Sequence, residues 1–266
     1  MRKTILLKLS VFSVLLLLML GSCKDDSNLR NSAPIPDQSF VQEFDTVKAA
    51  QDQGWKLVNR SSPIGRSGWS QGNSIFTQAR YSAYSSKATN EGFISSDYSV
   101  AGPAPRTLDA TESNFLISPS VILQNGDKII FYTREDDSIS RWADRLQVCL
   151  NQTNDDFTAC GRGRDPGLFS TVLLDINPNY ASGFTVGTVP ATVFDAIIPY
   201  FPNNSLAYPR QWTRFEAKIF GLPAPVRGRF AFRHFVEFGG EAAGTVGSRG
   251  EVVSIDSVAF VSISRH

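Results

Sequence analysis

Asn114-Phe115-Leu116-Ile117-Ser118-Pro119-Ser120-Val121-Ile122-Leu123 and Asp127-Lys128-Ile129-Ile130-Phe131-Tyr132 are the two runs of sequence that decide the fold class. Both runs are rich in β-branched and aromatic residues, which favour strands. Asn125-Gly126 lies between them and predicts a β-hairpin, because both residues tolerate the positive φ of a type I′ turn. Pro119 cannot donate to a strand ladder, so we expect an edge strand or a break there.

Outside these runs, apolar residues also recur with the period of strands. No helix of convincing length is predicted after Leu20, and short strands without crossover helices indicate an all-β sandwich or barrel. Residues 79–113 and 183–208 are polar or interrupted by proline, and the sequence leaves their role open. The further predicted strands are Phe40–Asp45, Gly54–Asn59, Ser74–Thr77, Asp144–Leu150, Phe169–Ile176, Gln211–Phe220, Gly228–Phe238 and Glu251–Ile263.

The N-terminus has the pattern of a bacterial lipoprotein signal. A basic start is followed by an apolar run that is too short and too early for a spanning helix. Leu20-Gly21-Ser22-Cys23 resembles a lipobox, whose cysteine is lipidated and becomes the first residue. The alternative is an ordinary secretory signal with a chance cysteine. We therefore expect a signal peptide over residues 1–22 and a lipid anchor at Cys23, whose acyl chains contribute about 0.8 kcal/mol per buried methylene.

Lys24-Asp25-Asp26 follows the cysteine and resembles the export tag of Bacteroidetes surface lipoproteins. The alternative is a solvated tether without sorting meaning, which would leave the protein in the periplasm. Residues 23–37 contain few large apolar side chains and indicate a linker. The expected location is the outer membrane, lipid-anchored and exposed at the cell surface, with one domain over residues 38–266.

Composition and charge exclude several functions. The chain has 266 residues, 42% of them hydrophobic, and a formal net charge of +1. Three of its 26 basic residues lie in the signal segment, which leaves 23 against 25 acidic residues and no concentrated basic face for nucleic acid. The two histidines, His234 and His266, are too few for a zinc cluster. Gly68-Trp69-Ser70-Gln71-Gly72 has Gly-x-Ser-x-Gly spacing, but a nucleophile elbow joins a strand to a helix, and no helix of convincing length is predicted there. His234 lies on the apolar face of Phe230 and Phe232, which indicates a core histidine.

Several motifs together resemble the choice-of-anchor J domains, which are related to cleaved-adhesin domains and, more distantly, to MAM domains. The resemblance covers most of residues 38–266, and it implies a single jelly-roll β-sandwich that binds partners without catalysis. Phe115 departs from the family, in which tryptophan is more usual. The motifs are Gly54-Trp55, Pro63, Gly65, Trp69, Asn114–Pro119, Gly126, Phe131, Asp144–Val148, Trp212, Arg229–Phe232 and Ile255–Val258.

Apart from the predicted lipidation site Cys23, the chain has two cysteines, Cys149 and Cys160. An even pair in an oxidising envelope predicts a disulfide, which would contribute about 2–3 kcal/mol by closing the loop. The alternative is two separate buried thiols.

Carboxylates near the two chain ends suggest a calcium site. Glu43 and Asp45 share one face of the first predicted strand, and Asp256 lies in the last. First and last strands often pair in jelly rolls, and related adhesin domains carry structural calcium in such a place. Calcium requires only oxygen ligands. The alternative is that these residues are ordinary strand or turn charges.

Aromatic residues in or beside predicted loops are the candidates for ligand binding, because such rings stack on sugars or fill protein pockets. We expect a non-catalytic, adhesin-like domain that recognises a glycan or a protein. The alternatives are a carbohydrate-active enzyme and a structural component of an outer-membrane assembly. Trp55 and Trp212 are expected in the core instead. The candidates are Trp69, Tyr81, Tyr84, Trp142, Tyr200 and Tyr208.

The sorting signals can be tested by fractionation. Cys23→Ala should leave the protein unlipidated and release it from the membrane fraction. Asp25→Ala combined with Asp26→Ala should keep it lipidated but protect it from protease added to intact cells. A double variant that stays fully accessible to protease would show that these residues do not direct export.

Overall fold

The computed structural model describes residues 35–72, 81–85, 92–103, 110–135, 142–181, 206–240 and 249–263. Within these ranges the chain forms two six-stranded antiparallel sheets, and the predicted all-β sandwich is confirmed. The strands are β1 (Phe40–Gln42), β2 (Lys56–Asn59), β3 (Ser70–Gln71), β4 (Ile94–Asp97), β5 (Thr111–Ile117), β6 (Val121–Leu123), β7 (Lys128–Arg134), β8 (Leu146–Asn151), β9 (Thr171–Ile176), β10 (Thr213–Lys218), β11 (Val226–Glu237) and β12 (Val252–Val261).

β12 runs through the middle of the first sheet and β11 through the middle of the second, and these are the two longest strands. The first sheet has the order β10-β7-β12-β4-β3, and β1 also pairs with β12. The second has the order β2-β5-β11-β8-β9, and β6 also pairs with β11. The expected pairing of the first and last strands is confirmed, with Gln42 opposite Val258. Both long strands alternate apolar side chains toward the space between the sheets, and burial of these side chains dominates the stability.

The Asn125-Gly126 turn does not close a hairpin, so that prediction is wrong. β6 belongs to the second sheet and β7 to the first, and the turn carries the chain from one sheet to the other. Gly126 has the expected positive φ of 103°. The Asn125 side chain bonds both backbone groups of Leu222, and Asp127 accepts from the backbone N–H of Ile263. These contacts tie the turn to segments outside β6 and β7.

Pro119 interrupts the first apolar run as expected, because β5 ends at Ile117 and β6 begins at Val121. Several short elements were not predicted, among them β3, β4 and a helix. β4 lies inside the polar segment 79–113, where its serines are buried by polar partners. A six-residue helix, α1 (Val47–Asp52), begins after Thr46, whose side chain caps the N–H of Ala49 at 3.1 Å. The predicted strand 74–77 lies outside the described residues.

The main core lies between the sheets and is rich in phenylalanine. Phe230 of β11 contacts Trp55, Phe232 and Phe260, with ring centroids 5.8–6.0 Å apart. Trp55 is 1% exposed, so its predicted core position is confirmed. Trp212 is half-buried outside this cluster, beside Tyr81 and Phe93.

A second apolar cluster covers the outer face of the second sheet. The segment after β8 folds back over it and buries Phe115 and Phe169. Arg233 holds this cover in place, because its guanidinium donates to the carbonyl of Gly163 at 2.6 Å and to Ser113 Oγ at 2.9 Å. Burial lowers the pKa of Arg233 to about 10. A buried charge is therefore satisfied by the backbone of the segment that covers it.

A polar network bridges the two sheets at one end of the core. His234 of β11 is fully buried, and the prediction of a satisfied core histidine is confirmed. Its Nδ1 lies 2.9 Å from Ser96 Oγ of β4, and its Nε2 lies 3.2 Å from Asp144 Oδ1 and 3.3 Å from Glu112 Oε2. Ser96 also accepts from Asn114 at 2.8 Å. Nε2 faces two carboxyl oxygens and therefore carries the ring hydrogen, which leaves Nδ1 to accept from the Ser96 hydroxyl.

The two acids of this network accept hydrogen bonds from different segments of the chain. Asp144 also accepts from the backbone N–H groups of Glu251 and Val252, at 3.0 and 3.3 Å. Glu112 accepts from the N–H of Gly240 at 2.8 Å. Burial, and then the negative charge of Asp144, raises the pKa of Glu112 well above its usual value. Glu112 therefore holds its proton to higher pH than an exposed glutamate does.

Glutamine should replace Glu112 at little cost, since it keeps the shape of the side chain and an acceptor for the N–H of Gly240, and it has no charge to bury. We expect Glu112→Gln to change the free energy of unfolding by less than about 1 kcal/mol. Asp144→Ala removes the acceptor of three buried N–H groups and should cost about 3 kcal/mol or more. Urea denaturation measures both. Equal losses in the two variants would show that the carboxyl group of Glu112 is itself required.

Candidate functional site

The outer face of the first sheet is covered by residues 81–85. Asp256 of β12 points to this face and is fully buried beneath the segment. Its Oδ2 accepts from the backbone N–H groups of Tyr84 and Ser85, at 2.8 and 2.9 Å. Its Oδ1 accepts from the hydroxyl of Ser85 at 2.8 Å and from the N–H of Ser257 at 2.6 Å. Four donors on one carboxylate fix the position of the segment.

The Asp256 carboxyl has an unusual acidity. Burial raises its pKa to about 6, and the hydrogen bonds from Ser85, Ser257 and Tyr84 only partly oppose this effect. The folded protein thus binds this proton more tightly than the unfolded chain. The resulting stability is present below the usual carboxyl pKa and is lost as the pH rises through about 6.

The covered face presents one exposed aromatic pair, which we call the Tyr84 platform and define as Tyr84 and Tyr132. The two rings are stacked, with centroids 3.6 Å apart and an interplanar angle of 17°. Tyr84 is 44% exposed, so one ring face packs on Tyr132 and much of the rest meets solvent. A hydrogen bond to Tyr132 raises the pKa of Tyr84, and burial and the charges of Glu43 and Asp256 add to this shift.

Only one of the four other described aromatic candidates is exposed. Trp142 is 37% exposed. Trp69 is buried and donates to the carbonyl of Asn114 at 3.1 Å, while Tyr208 is buried against Thr133 at 2.6 Å. Tyr81 is buried and lies 2.8 Å from Ser254 Oγ. Trp69, Tyr81 and Tyr208 are therefore structural, because each uses its polar group inside the protein.

Tyr200 lies outside the described residues. Sequence reasoning missed Tyr132, although one signal pointed to it. In the predicted strand 127–132, Tyr132 shares the face of Lys128 and Ile130, which alternates with the core positions.

The three predicted calcium ligands do not form a cluster. Ser85 Oγ lies between Asp256 Oδ1 and the backbone carbonyl of Glu43, at 2.8 and 3.4 Å, so the backbone of Glu43 passes close to Asp256. Glu43 Oε2 is buried without a hydrogen bond, whereas Asp45 is exposed. The described ranges contain no group of three or more metal-binding side chains. Both carboxylate oxygens of Asp256 already accept hydrogen bonds from the protein. These residues therefore fit a hydrogen-bonded anchor better than a cation site.

The predicted disulfide is wrong, because Cys149 and Cys160 are both free and buried. Each thiol packs in the apolar cluster over the second sheet. Cys160 Sγ lies 3.4 Å from the donor Arg60 Nε and 3.6 Å from the carbonyl of Phe157. Burial raises the pKa of Cys149 to about 12. The loop between them is instead held by Asn151, whose Oδ1 accepts from the N–H of Thr153 at 3.1 Å.

The predicted lipidation and export residues, Cys23, Lys24, Asp25 and Asp26, lie outside the described residues. In the ranges that the structure describes, no helix has the length and apolar character needed to cross a membrane.

No protein-family model and no curated protein matches the chain. Among solved structures, it is similar to the K1 cleaved adhesin domain of Lys-gingipain from Porphyromonas gingivalis W83, with 18% identity and a TM-score of 0.46, over 85% of this chain and 98% of that one. The K3 domain from the same strain has 16% identity and a TM-score of 0.42, over 86% of this chain and 100% of that one. The K2 domain of Lys-gingipain has 16% identity and a TM-score of 0.43, over 85% of this chain and 99% of that one. Identities this low leave ligand and activity unassigned.

The pH dependence of stability separates an anchoring role of Asp256 from a metal-binding role. As an anchor with a pKa near 6, Asp256 should stabilise the protein, relative to Asp256→Ala, more at pH 5 than at pH 7.5. As a calcium ligand it should do the opposite, because protonation releases the cation. Thermal melts of both proteins at the two pH values measure the difference.

Asp45→Ala is the matched control, since this exposed carboxylate should change stability by less than about 0.5 kcal/mol. The melts are repeated with a chelator. A drop in melting temperature on chelation, absent in Asp256→Ala, would contradict the anchor and establish the calcium site.

Proposed function

We propose that the chain is a cell-surface lipoprotein whose β-sandwich binds a glycan through the Tyr84 platform. In this proposal Cys23 carries the lipid, and Lys24, Asp25 and Asp26 direct export across the outer membrane. The observation that carries the binding role is that the ring of Tyr84 is 44% exposed although both its backbone and one ring face are held in place. The backbone of Tyr84 is fixed by Asp256 and its ring by Tyr132.

Preorganisation makes this ring a plausible binding surface. Tyrosine offers a large contact area at low conformational cost, and a fixed ring loses less entropy on binding. The apolar face of a pyranose packs against such a ring, while the sugar hydroxyls need polar neighbours. Arg214 of β10 is the residue paired with Tyr132 across the ladder and is exposed, as are Glu216 and Lys218 further along β10. A flat ring with charged neighbours suits a sugar, and a protein partner is the alternative.

Two constellations could suggest an enzyme, and neither reaches solvent. Ser96, His234 and Asp144 resemble a nucleophile, base and acid, but they are at most 1% exposed and lie between the sheets. Asp256 has the raised pKa of a general acid, but its oxygens face the backbone of residues 84 and 85. A substrate would have to displace the packed core or this segment to meet them. We therefore rank a carbohydrate-active enzyme below a binding module.

Calcium at Glu43, Asp45 and Asp256 stays a prediction, and so does a role as a structural component of an outer-membrane assembly. The chelation melts test the first. The second would require a partner protein, which a pull-down from solubilised outer membranes would identify.

A glycan array tests the binding role. Two proteins are compared on the array: the mature chain made without its lipid by Cys23→Ala, and the same chain with Tyr84→Ala added. Loss of the stacked ring should weaken binding to the recognised glycan roughly tenfold or more, since tyrosines that become buried on binding are typical hot spots. Phe220→Ala is the matched control, because Phe220 is 65% exposed after β10 and should not affect binding.

Unchanged binding by Tyr84→Ala would show that the platform is not the site. Hydrolysis of an arrayed glycan would support the enzyme instead.

A further inference from the structure

A second exposed aromatic surface lies at the end of β11, where the backbone is strained. Phe238 and Tyr180 have φ values of +61° and +53°, a left-handed conformation that costs a bulky residue roughly 1–2 kcal/mol. The hydroxyl of Tyr180 accepts from the N–H of Glu237 at 3.0 Å, and the N–H of Arg249 donates to the carbonyl of Phe238 at 3.1 Å. Strain of this kind is concentrated at functional sites. Phe238 is nevertheless 45% exposed, so burial of its ring does not explain the strain.

Among the described residues around these rings, three arginines face two acids. Arg145 forms a two-pronged ion pair with Asp175, at 2.8 and 2.6 Å. Arg164 pairs with Glu237 at 2.6 Å. Both acids are therefore occupied. Arg249 is the third arginine, and no carboxylate of the described residues lies within ion-pair distance of it.

The guanidinium of Arg249 is held by aromatic rings. Its Cζ lies 3.9 Å from the centroid of the Tyr180 ring and 5.6 Å from that of Phe238. Stacking fixes the plane of the guanidinium and leaves its N–H donors directed outward along the edge. A fixed pair of parallel N–H donors matches the two oxygens of a carboxylate. The excess positive charge favours the same ligand.

We propose that Tyr180, Phe238 and Arg249 form a binding site for the carboxylate of an acidic sugar. Arg249 takes the carboxylate, and the exposed ring of Phe238 packs on the apolar face of the pyranose. A peptide fits less well, because a peptide that adds to a sheet needs an open strand edge. β11 is paired with β5 through Glu237, and on its other edge the N–H groups of Phe235 and Glu237 already donate to the carbonyl of Arg145 and the hydroxyl of Tyr180. The site is separate from the Tyr84 platform, which belongs to the first sheet.

Titration with glucuronic acid, followed by NMR, tests the site directly. Glucose is the neutral counterpart and acetate the carboxylate without a ring. The mature chain should bind glucuronic acid at least tenfold more tightly than either, and added salt should weaken the binding. Arg249→Ala should abolish it. Arg249→Lys, which keeps the charge but not the fork, should weaken it severalfold.

Arg227→Ala is the matched control, since this exposed arginine lies at the opposite end of β11 and should leave binding unchanged. Phe238→Ala should weaken glucuronic acid binding but not the response to acetate, and melting temperatures confirm that each variant folds. Tyr84→Ala should leave glucuronic acid binding unchanged, so the experiment tests this site independently of the Tyr84 platform. Equal binding of glucuronic acid, glucose and acetate would overturn the proposal, as would tighter binding of an acidic tripeptide or full binding by Arg249→Ala.

Discussion

A buried charge has to be hydrogen-bonded, and this constraint organises the protein outside its apolar core. Asp256 on the outer face of the first sheet is satisfied by the backbone of residues 84 and 85. Arg233 on the outer face of the second sheet is satisfied by the carbonyl of Gly163. Asp144, between the sheets, takes the N–H groups that lead into β12. In each case strand and loop are interdependent, because removal of either leaves an unpaired group in a low-dielectric environment.

This arrangement gives a sandwich with fixed loops. A loop that lies on a sheet only through apolar contacts can slide, whereas a carboxylate with four donors allows one position. The ring of Tyr84 is therefore presented to solvent at a defined place on Tyr132. At the end of the second sheet, paired charges hold Arg145 and Arg164 and leave Arg249 to its aromatic neighbours. Rigid sheets that carry exposed aromatic rings at fixed positions are well suited to recognition without chemistry.

Much of the fold could be predicted from the sequence, because it depends on alternation along single strands. The break at Pro119 and the burial of His234 follow from local chemistry and from side-chain parity. The sheet to which each strand belongs does not follow from local chemistry or from side-chain parity. Asn125-Gly126 specifies a turn but not whether the next strand pairs with the previous one, and tertiary contacts to Leu222 and Ile263 decide this. β4 was missed because its serines are buried by partners far away in sequence.

The candidate site was predictable only in part. The expected pairing of β1 and β12 brings the backbone of Glu43 near Asp256, with Ser85 between them. The role of Asp256 depends on residues 81–85, which lie about 170 positions away in sequence. Exposure of aromatic rings also cannot be deduced from loop location, since Trp69 and Tyr208 find buried hydrogen-bond partners. Cys149 and Cys160 are close in sequence, but their side chains pack among apolar rings as separate thiols.

Amide hydrogen exchange at Tyr84 and Ser85 tests most directly whether Asp256 fixes the segment that carries the exposed ring. Both N–H groups lie at the surface of the domain, yet each donates to a buried carboxylate oxygen. The account predicts that both amides exchange far more slowly than those of an open loop and that Asp256→Ala removes this protection. Exchange at the rate of an unstructured peptide in the unaltered protein would contradict it.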